Sequence, residues 1–194
     1  MFWEWHLEHS VISYERAERV LEVFRIACLQ PGDIADVGCY RGAFSSEFCR
    51  FAAYYALDKQ VHCFDTFAGL PEFGKHDNSE ATGDQRYAAD LDEVLTKLTP
   101  YDNAHVYAGN VANFTLDAKL CFALVDLDLY QSTRDALHLV MPQVVPRGWL
   151  VIDDYGAEPW WPGVRRAVDE VLDESDWDIW HLPELFLCVA RKLP

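Results

Sequence analysis

Carboxylates follow two apolar segments of this chain, and their positions indicate a site for a divalent cation. Asp126 and Asp128 follow the segment Phe-Ala-Leu-Val. Asp153 and Asp154 follow Trp-Leu-Val-Ile. Like charges gathered at the ends of buried strands are costly unless a cation neutralises them. Ligands that are all oxygen suit a hard cation, so Mg²⁺ is expected, with Ca²⁺ or Mn²⁺ as alternatives.

The spacing within each pair decides whether its carboxylates can share one ion. Asp126 and Asp128 are two residues apart and would face one side of an extended strand. Asp153 and Asp154 are adjacent and would face opposite sides, so both reach one ion only if the chain turns there. Tyr155-Gly supplies residues for such a turn. The alternative interpretation makes all four carboxylates helix caps and solvated loop ends.

A glycine turn upstream indicates a second kind of site. The segment Asp36-Val-Gly-Cys-Tyr-Arg-Gly-Ala-Phe-Ser follows a predicted strand and opens a predicted helix. Its two glycines permit a tight turn, and the helix start offers free N–H groups to an anionic ligand. The dinucleotide fingerprint G-x-G-x-x-G and the P-loop are both absent from it. Asp65, after the next predicted strand, could bind a ribose diol or could cap the following turn. Together, the glycine turn and Asp65 favour a nucleoside-like ligand.

Strands and helices alternate along the chain, which predicts the sheet that must position these residues. The strands are expected at 34–37, 61–64, 105–108, 120–127, 148–153, 177–181 and 186–190. The helices are expected at 10–29, 44–55, 90–98, 132–141 and 163–174. This order predicts an α/β fold with a doubly wound, mostly parallel sheet of seven strands. The two strands that end the chain predict one antiparallel strand.

Length and composition predict a single globular domain over residues 1–194. The chain has 194 residues, of which 51% are hydrophobic, enough for one sizeable core. Residues 1–30 are expected to form an N-terminal helical segment. Residues 66–86 are polar and contain glycine, which predicts a mobile lid loop.

Charge and cysteine usage exclude several classes of partner. A net charge of −16 argues against nucleic acid and anionic membrane surfaces as partners. No apolar segment is long enough to span a membrane, and the N-terminus lacks the features of a signal peptide. The six cysteines include no C-x-x-C pair, so they are predicted to be reduced. A cytoplasmic protein is expected.

Four motifs in a fixed order resemble one known family. They are Asp36-Val-Gly-Cys-Tyr-Arg-Gly42, Phe64-Asp-Thr-Phe-Ala-Gly-Leu-Pro71, Val125-Asp-Leu-Asp-Leu-Tyr-Gln-Ser-Thr133 and Val151-Ile-Asp-Asp-Tyr-Gly156. This order is similar to that of the macrocin O-methyltransferases, which depend on S-adenosylmethionine and Mg²⁺ and typically methylate sugar hydroxyls of natural products. The resemblance implies a Rossmann-like class I methyltransferase fold with an extra N-terminal helix. Asp36 stands where the family usually has Glu, and Leu127 where Gly is common.

The resemblance also implies roles for individual residues. It places Gly38, Tyr40, Gly42 and Ser45 around the methionine moiety of the cofactor. Asp36 and Asp84 would lie near the cofactor, and Asp65 would hold the ribose. Asp126, Asp153 and Asp154 would ligate Mg²⁺, while Asp128 would act as the base. The expected partner is a small-molecule hydroxyl acceptor, a sugar or another vicinal diol of a natural product, and a homodimer is expected.

Other functions fit parts of the same pattern. A haloacid-dehalogenase-like phosphatase uses a D-x-D motif, but it begins its core with that strand, and only 68 residues follow Asp126. A glycosyltransferase could use D-x-D to bind a nucleotide-sugar through Mg²⁺. A catechol-type O-methyltransferase would share the chemistry with another acceptor. A methyltransferase-like protein without activity is the remaining alternative.

Overall fold

The structure is a computed structural model that describes Leu7, residues 10–78 and residues 87–194. Its helices are α1 Tyr14–Ala27, α2 Ala43–Tyr54, α3 Leu91–Leu98, α4 Tyr130–Val140 and α5 Pro162–Val171. Its strands are β1 Asp33–Val37, β2 Val61–Asp65, β3 Ala104–Ala108, β4 Leu120–Val125, β5 Val144–Ile152, β6 Trp177–Leu182 and β7 Leu187–Lys192.

The seven strands form one sheet in the order β3-β2-β1-β4-β5-β7-β6. Strands β1 to β5 pair in parallel, whereas β7 pairs antiparallel with both β5 and β6. This arrangement confirms the predicted mostly parallel sheet with one antiparallel strand. The strand order reverses between β1 and β4, and ligands of open α/β sheets bind at such a switch point.

Apolar side chains cover both faces of the central strands. On one face, Phe24 of α1 and Phe48 of α2 pack against Phe122 of β4, with ring centroids 4.4–5.5 Å apart. On the other face, α4 and α5 contribute buried residues such as Leu137 and Val164. Burial of both faces explains why β4 is apolar throughout. The central strands are therefore fixed, and their carboxyl ends form a rigid edge.

Two predicted boundaries differ from the structure at places that matter for the site. Strand β4 ends at Val125 instead of residue 127, and Asp128 has a left-handed φ of 62°. Strand β5 ends at Ile152, and Asp154 has a φ of 57°. The expectation that Asp126 and Asp128 share one face of an extended strand is therefore wrong. The chain turns after each strand, and these turns set the directions of the carboxylates.

The loop after β2 is anchored by two hydrogen bonds at Asp77 and Asn78, the last residues that the structure describes before position 79. Asp77 accepts a hydrogen bond from the backbone N–H of Tyr130, at 2.8 Å, and thereby caps the start of α4. The side-chain amide of Asn78 donates to the carbonyl of Pro159, also at 2.8 Å. The predicted lid loop covers residues 66–86, of which 79–86 lie outside the described residues.

No helix in the described ranges combines the length and the apolar character that a membrane crossing requires.

Candidate functional site

A cavity of about 470 Å³ lies at the carboxyl ends of the central strands. Residues from the turns after β1, β2, β4 and β5 line it, together with residues of α1 and of the segment before β7. They include Gly38, Tyr40, Asp65, Asp126, Asp128, Asp153, Asp154, Arg16, Trp161 and Phe186. The cavity therefore brings together the glycine turn, Asp65 and both acidic pairs, which are far apart in the sequence.

Gly38 allows the ends of β1 and β4 to approach each other closely. Its φ is 92°, and a Cβ at this position would overlap the carbonyl oxygen of Asp126. The N–H of Gly38 donates to the carbonyl of Phe64 at 2.8 Å, and the N–H of Asp126 donates to the carbonyl of Val37 at 2.8 Å. Only glycine satisfies both the backbone angle and the space.

Asp65 combines a structural role with exposure to the cavity. Its carboxylate accepts hydrogen bonds from the backbone N–H groups of Tyr40, at 2.8 Å, and Phe67, at 2.7 Å. Burial raises the pKa of Asp65, and these N–H groups oppose that shift. Each carboxylate oxygen retains a further acceptor position, so Asp65 can cap its turn and still receive a ligand hydroxyl.

Asp36 and Ser45 lie beneath the cavity and do not line it. The two side chains are 1% and 0% exposed, and the Ser45 hydroxyl donates to Asp36 at 2.5 Å. Burial raises the pKa of Asp36 to about 7. Gly42 is the N-cap of α2, with a φ of 69°, and is likewise absent from the cavity wall. Tyr40 and Gly38 line the cavity, whereas Asp84 lies outside the described residues.

Three carboxylates converge at the base of the cavity. Oxygen atoms of Asp126, Asp128 and Asp154 lie within 4.8 Å of one another. Burial raises the pKa values of Asp126 and Asp128 well above the ordinary range, and repulsion from the neighbouring carboxylates adds to the shift. Concentrated negative charge of this kind favours a bound cation.

Asp153 is turned toward a residue that sequence reasoning missed. Arg16 of α1 places its Nη1 atom 3.1 and 2.9 Å from the two carboxylate oxygens of Asp153, and 2.9 Å from Oδ1 of Asp154. Burial and Asp154 raise the pKa of Asp153 to about 7, although Arg16 opposes the shift. In the sequence, Arg16 is one polar residue among others on an amphipathic helix, so no signal marked it.

The outer part of the cavity has an aromatic wall. Phe186 has a left-handed φ of 51°, and its ring lies 5.1 Å from the guanidinium carbon of Arg16. Trp161 is 9% exposed and also lines the cavity. Flat apolar surfaces of this kind pack against the rings of aromatic and sugar ligands.

Comparison with known proteins identifies one family. The family model described as macrocin-O-methyltransferase (TylF) matches residues 5–178. An 8-demethyl-8-(2,3-dimethoxy-alpha-L-rhamnosyl)-tetracenomycin-C 4'-O-methyltransferase from Streptomyces olivaceus is 31% identical over 167 residues, covering 75% of this chain. The chain spans 63% of the length of that relative. A demethyldecarbamoylnovobiocin O-methyltransferase from Streptomyces niveus is 26% identical, covering 87% of this chain and 69% of its own length.

Solved structures agree on the fold. The O-methyltransferase NovP has a TM-score of 0.80 at 22% identity, covering 96% of this chain and 83% of its own. The calicheamicin methyltransferase CalS11 has a TM-score of 0.72 at 19% identity, with coverages of 93% and 80%. The class I methyltransferase fold expected from the sequence is thereby confirmed.

Proposed function

This chain belongs to the macrocin O-methyltransferase family, and from that premise we propose that it transfers the methyl group of S-adenosylmethionine to a hydroxyl group of a small molecule in a reaction that requires Mg²⁺. The observation that carries the proposal is the convergence of Asp126, Asp128 and Asp154 in one cavity with Gly38 and Asp65.

The residues around the glycine turn fit the cofactor. Gly38 leaves room at the strand ends for close approach of a ligand, and Tyr40 lines the same wall. Asp65 would hold the two ribose hydroxyls, since a carboxylate can accept from both. The cofactor supplies an electrophilic methyl group on a sulfonium. Asp36, Gly42 and Ser45 would support this turn from beneath, through the Asp36–Ser45 hydrogen bond and the start of α2.

The acidic cluster fits a divalent cation. Its donor atoms are all carboxylate oxygens, which Mg²⁺ prefers. Asp126, Asp153 and Asp154 are the proposed ligands. Asp126 and Asp154 belong to the cluster, whereas Asp153 pairs with Arg16 and would have to exchange that partner for the cation. A bound Mg²⁺ would lower the pKa of a substrate hydroxyl and fix its position. The charge of the cation would also offset the repulsion that raises the pKa values of Asp126 and Asp128.

Asp128 is the proposed base. It lies beside Asp126 and Asp154, so a hydroxyl oriented by those residues would have Asp128 within reach. Its carboxylate would take the proton as the oxygen attacks the methyl group in line. The remaining contribution of the protein is orientation, because the cavity holds both reactants in one enclosed space.

The proposed acceptor is a neutral sugar hydroxyl of a natural product. The relatives are named for rhamnosyl and novobiocin substrates, and Trp161 and Phe186 offer surfaces for sugar or aromatic rings. The cavity lining is rich in carboxylates, which disfavours an anionic acceptor. The homodimer and the cytoplasmic location stay predictions.

Methyl transfer can be tested directly. The protein, stripped with EDTA, is incubated with labelled S-adenosylmethionine and a panel of rhamnosylated acceptors, with and without Mg²⁺. We expect transfer only with Mg²⁺, and its loss in Asp126→Asn. Asp178→Asn is the matched control, since Asp178 is exposed on β6. Full transfer in EDTA would refute the metal role, and failure to bind S-adenosylhomocysteine would refute the proposal itself.

A further inference from the structure

Arg16 is the one cationic side chain among the described residues that line the cavity. It belongs to the first turn of α1, where the hydroxyl of Ser13 accepts its backbone N–H at 3.4 Å. The helix is fixed because its other face, including Val20 and Phe24, is fully buried against the sheet. The rigid packing of α1 therefore directs the Arg16 side chain into the acidic site.

One nitrogen atom of Arg16 contacts three carboxylate oxygens of the proposed metal ligands. Nη1 contacts both oxygens of Asp153 and one oxygen of Asp154, all at 2.9–3.1 Å. The guanidinium is also stacked on Phe186. A metal ion that binds Asp153 must use an oxygen that the guanidinium now contacts, and at Asp154 it competes with the guanidinium for Oδ1.

The charges of the site explain why it can bind either the Arg16 guanidinium or a divalent metal ion. The cavity contains four carboxyl groups of the two acidic pairs and a single guanidinium, which contacts only Asp153 and Asp154. One positive charge leaves part of this negative charge unbalanced, so a divalent cation is still attracted. The two cations repel each other at such short range, so they cannot bind the same carboxylates with full strength at once.

We propose that Arg16 is a positioning residue whose guanidinium neutralises Asp153 and Asp154 in the metal-free protein. A divalent cation displaces the guanidinium from both carboxylates. The inference rests on the metal dependence proposed above. Arg16 keeps the acidic turn after β5 ordered before the metal binds. After displacement, its guanidinium lies on the Phe186 side of the cavity, where the acceptor is expected.

Mn²⁺ titration of the full chain tests this competition without an activity assay. Isothermal titration calorimetry is run on EDTA-stripped wild type, Arg16→Met, Arg16→Lys and Arg19→Met. Arg19 is the matched control, because it lies on the same helix, is half exposed and pairs with Glu22. We expect Arg16→Met to bind Mn²⁺ about tenfold more tightly or better. Arg16→Lys, which keeps the charge, should lie between it and the wild type, and Arg19→Met should match the wild type.

Thermal unfolding in EDTA provides the second measurement. Without Arg16 the carboxylates repel each other unopposed, so the melting temperature of Arg16→Met should fall below that of Arg19→Met and recover with Mn²⁺. If Arg16→Met does not fold, Arg16→Gln replaces it in both measurements.

The outcomes separate this inference from the proposed function. If the wild type binds Mn²⁺ and Arg16→Met binds it no more tightly than Arg19→Met, the competition is refuted and the metal dependence stands. Weaker binding by Arg16→Met also refutes the competition. If neither the wild type nor Arg16→Met binds Mn²⁺, the proposed metal dependence fails and the competition fails with it.

Discussion

Replacing Gly38 by alanine should damage the meeting point of β1 and β4 far more than an ordinary glycine substitution does. The added Cβ would overlap the carbonyl oxygen of Asp126 and lie 2.7 Å from its carbonyl carbon. Both atoms belong to the backbone, so no side-chain rotation relieves the overlap. The strand ends must separate, which strains the hydrogen bonds from Gly38 to Phe64 and from Asp126 to Val37.

Gly156 supplies the matched control, because its φ of 84° is similar and a Cβ there meets nothing within 4 Å. Gly156→Ala should therefore cost only the left-handed backbone strain, about 1–2 kcal/mol. Gly38→Ala adds about 1 kcal/mol for each strained hydrogen bond, giving a total of about 3–5 kcal/mol once the displaced backbone is included. For a chain of this size, these values lower the melting temperature by roughly 2–8 °C and 6–20 °C, respectively.

Thermal unfolding followed by circular dichroism in EDTA measures both variants without interference from metal. Calorimetry with S-adenosylhomocysteine then shows whether Gly38→Ala, where folded, has lost cofactor affinity. Equal melting temperatures for the two variants would refute the argument, because the close approach of Asp126 would then carry no energetic consequence.

Three further substitutions test individual residues of the site. Asp128→Asn should lower kcat about 10²–10⁴-fold with little change in S-adenosylhomocysteine affinity, and an unchanged kcat would exclude Asp128 as the base. Asp65→Ala should weaken S-adenosylhomocysteine binding about tenfold or more, because hydrogen bonds to a charged group contribute about 1.5–3 kcal/mol each. Calorimetry on variant protein that is shown to be folded measures this affinity. An unchanged affinity would exclude Asp65 as the ribose ligand. Burial raises the pKa of Asp36 to about 7 in the folded protein, whereas it is about 3.9 in an unfolded chain. The unfolded state therefore releases its proton first, and the stability contributed by Asp36 falls as pH rises from about 4 to about 7. Relative to wild type, Asp36→Asn should gain about 3 kcal/mol between pH 5 and pH 8 in urea unfolding, and parallel pH profiles would contradict this.

The sequence alone was sufficient for the order of elements and for the general position of the site. Alternating strand and helix patterns predicted the seven strands, because each pattern reflects burial of local side chains. The antiparallel strand followed from two strands in succession at the end of the chain. Asp65 and the acidic pairs were expected together, since parallel strands place their carboxyl ends at one edge of the sheet.

Only the tertiary structure determines which groups each carboxylate of the site contacts. Left-handed turns at Asp128 and Asp154 bring these two side chains to Asp126, whereas a strand pattern contains no information about such turns. Asp153 pairs with Arg16, a residue 137 positions away in the sequence. That contact is set by the packing of α1 on the sheet, and long-range packing depends on the whole fold, whereas sequence patterns report only local burial.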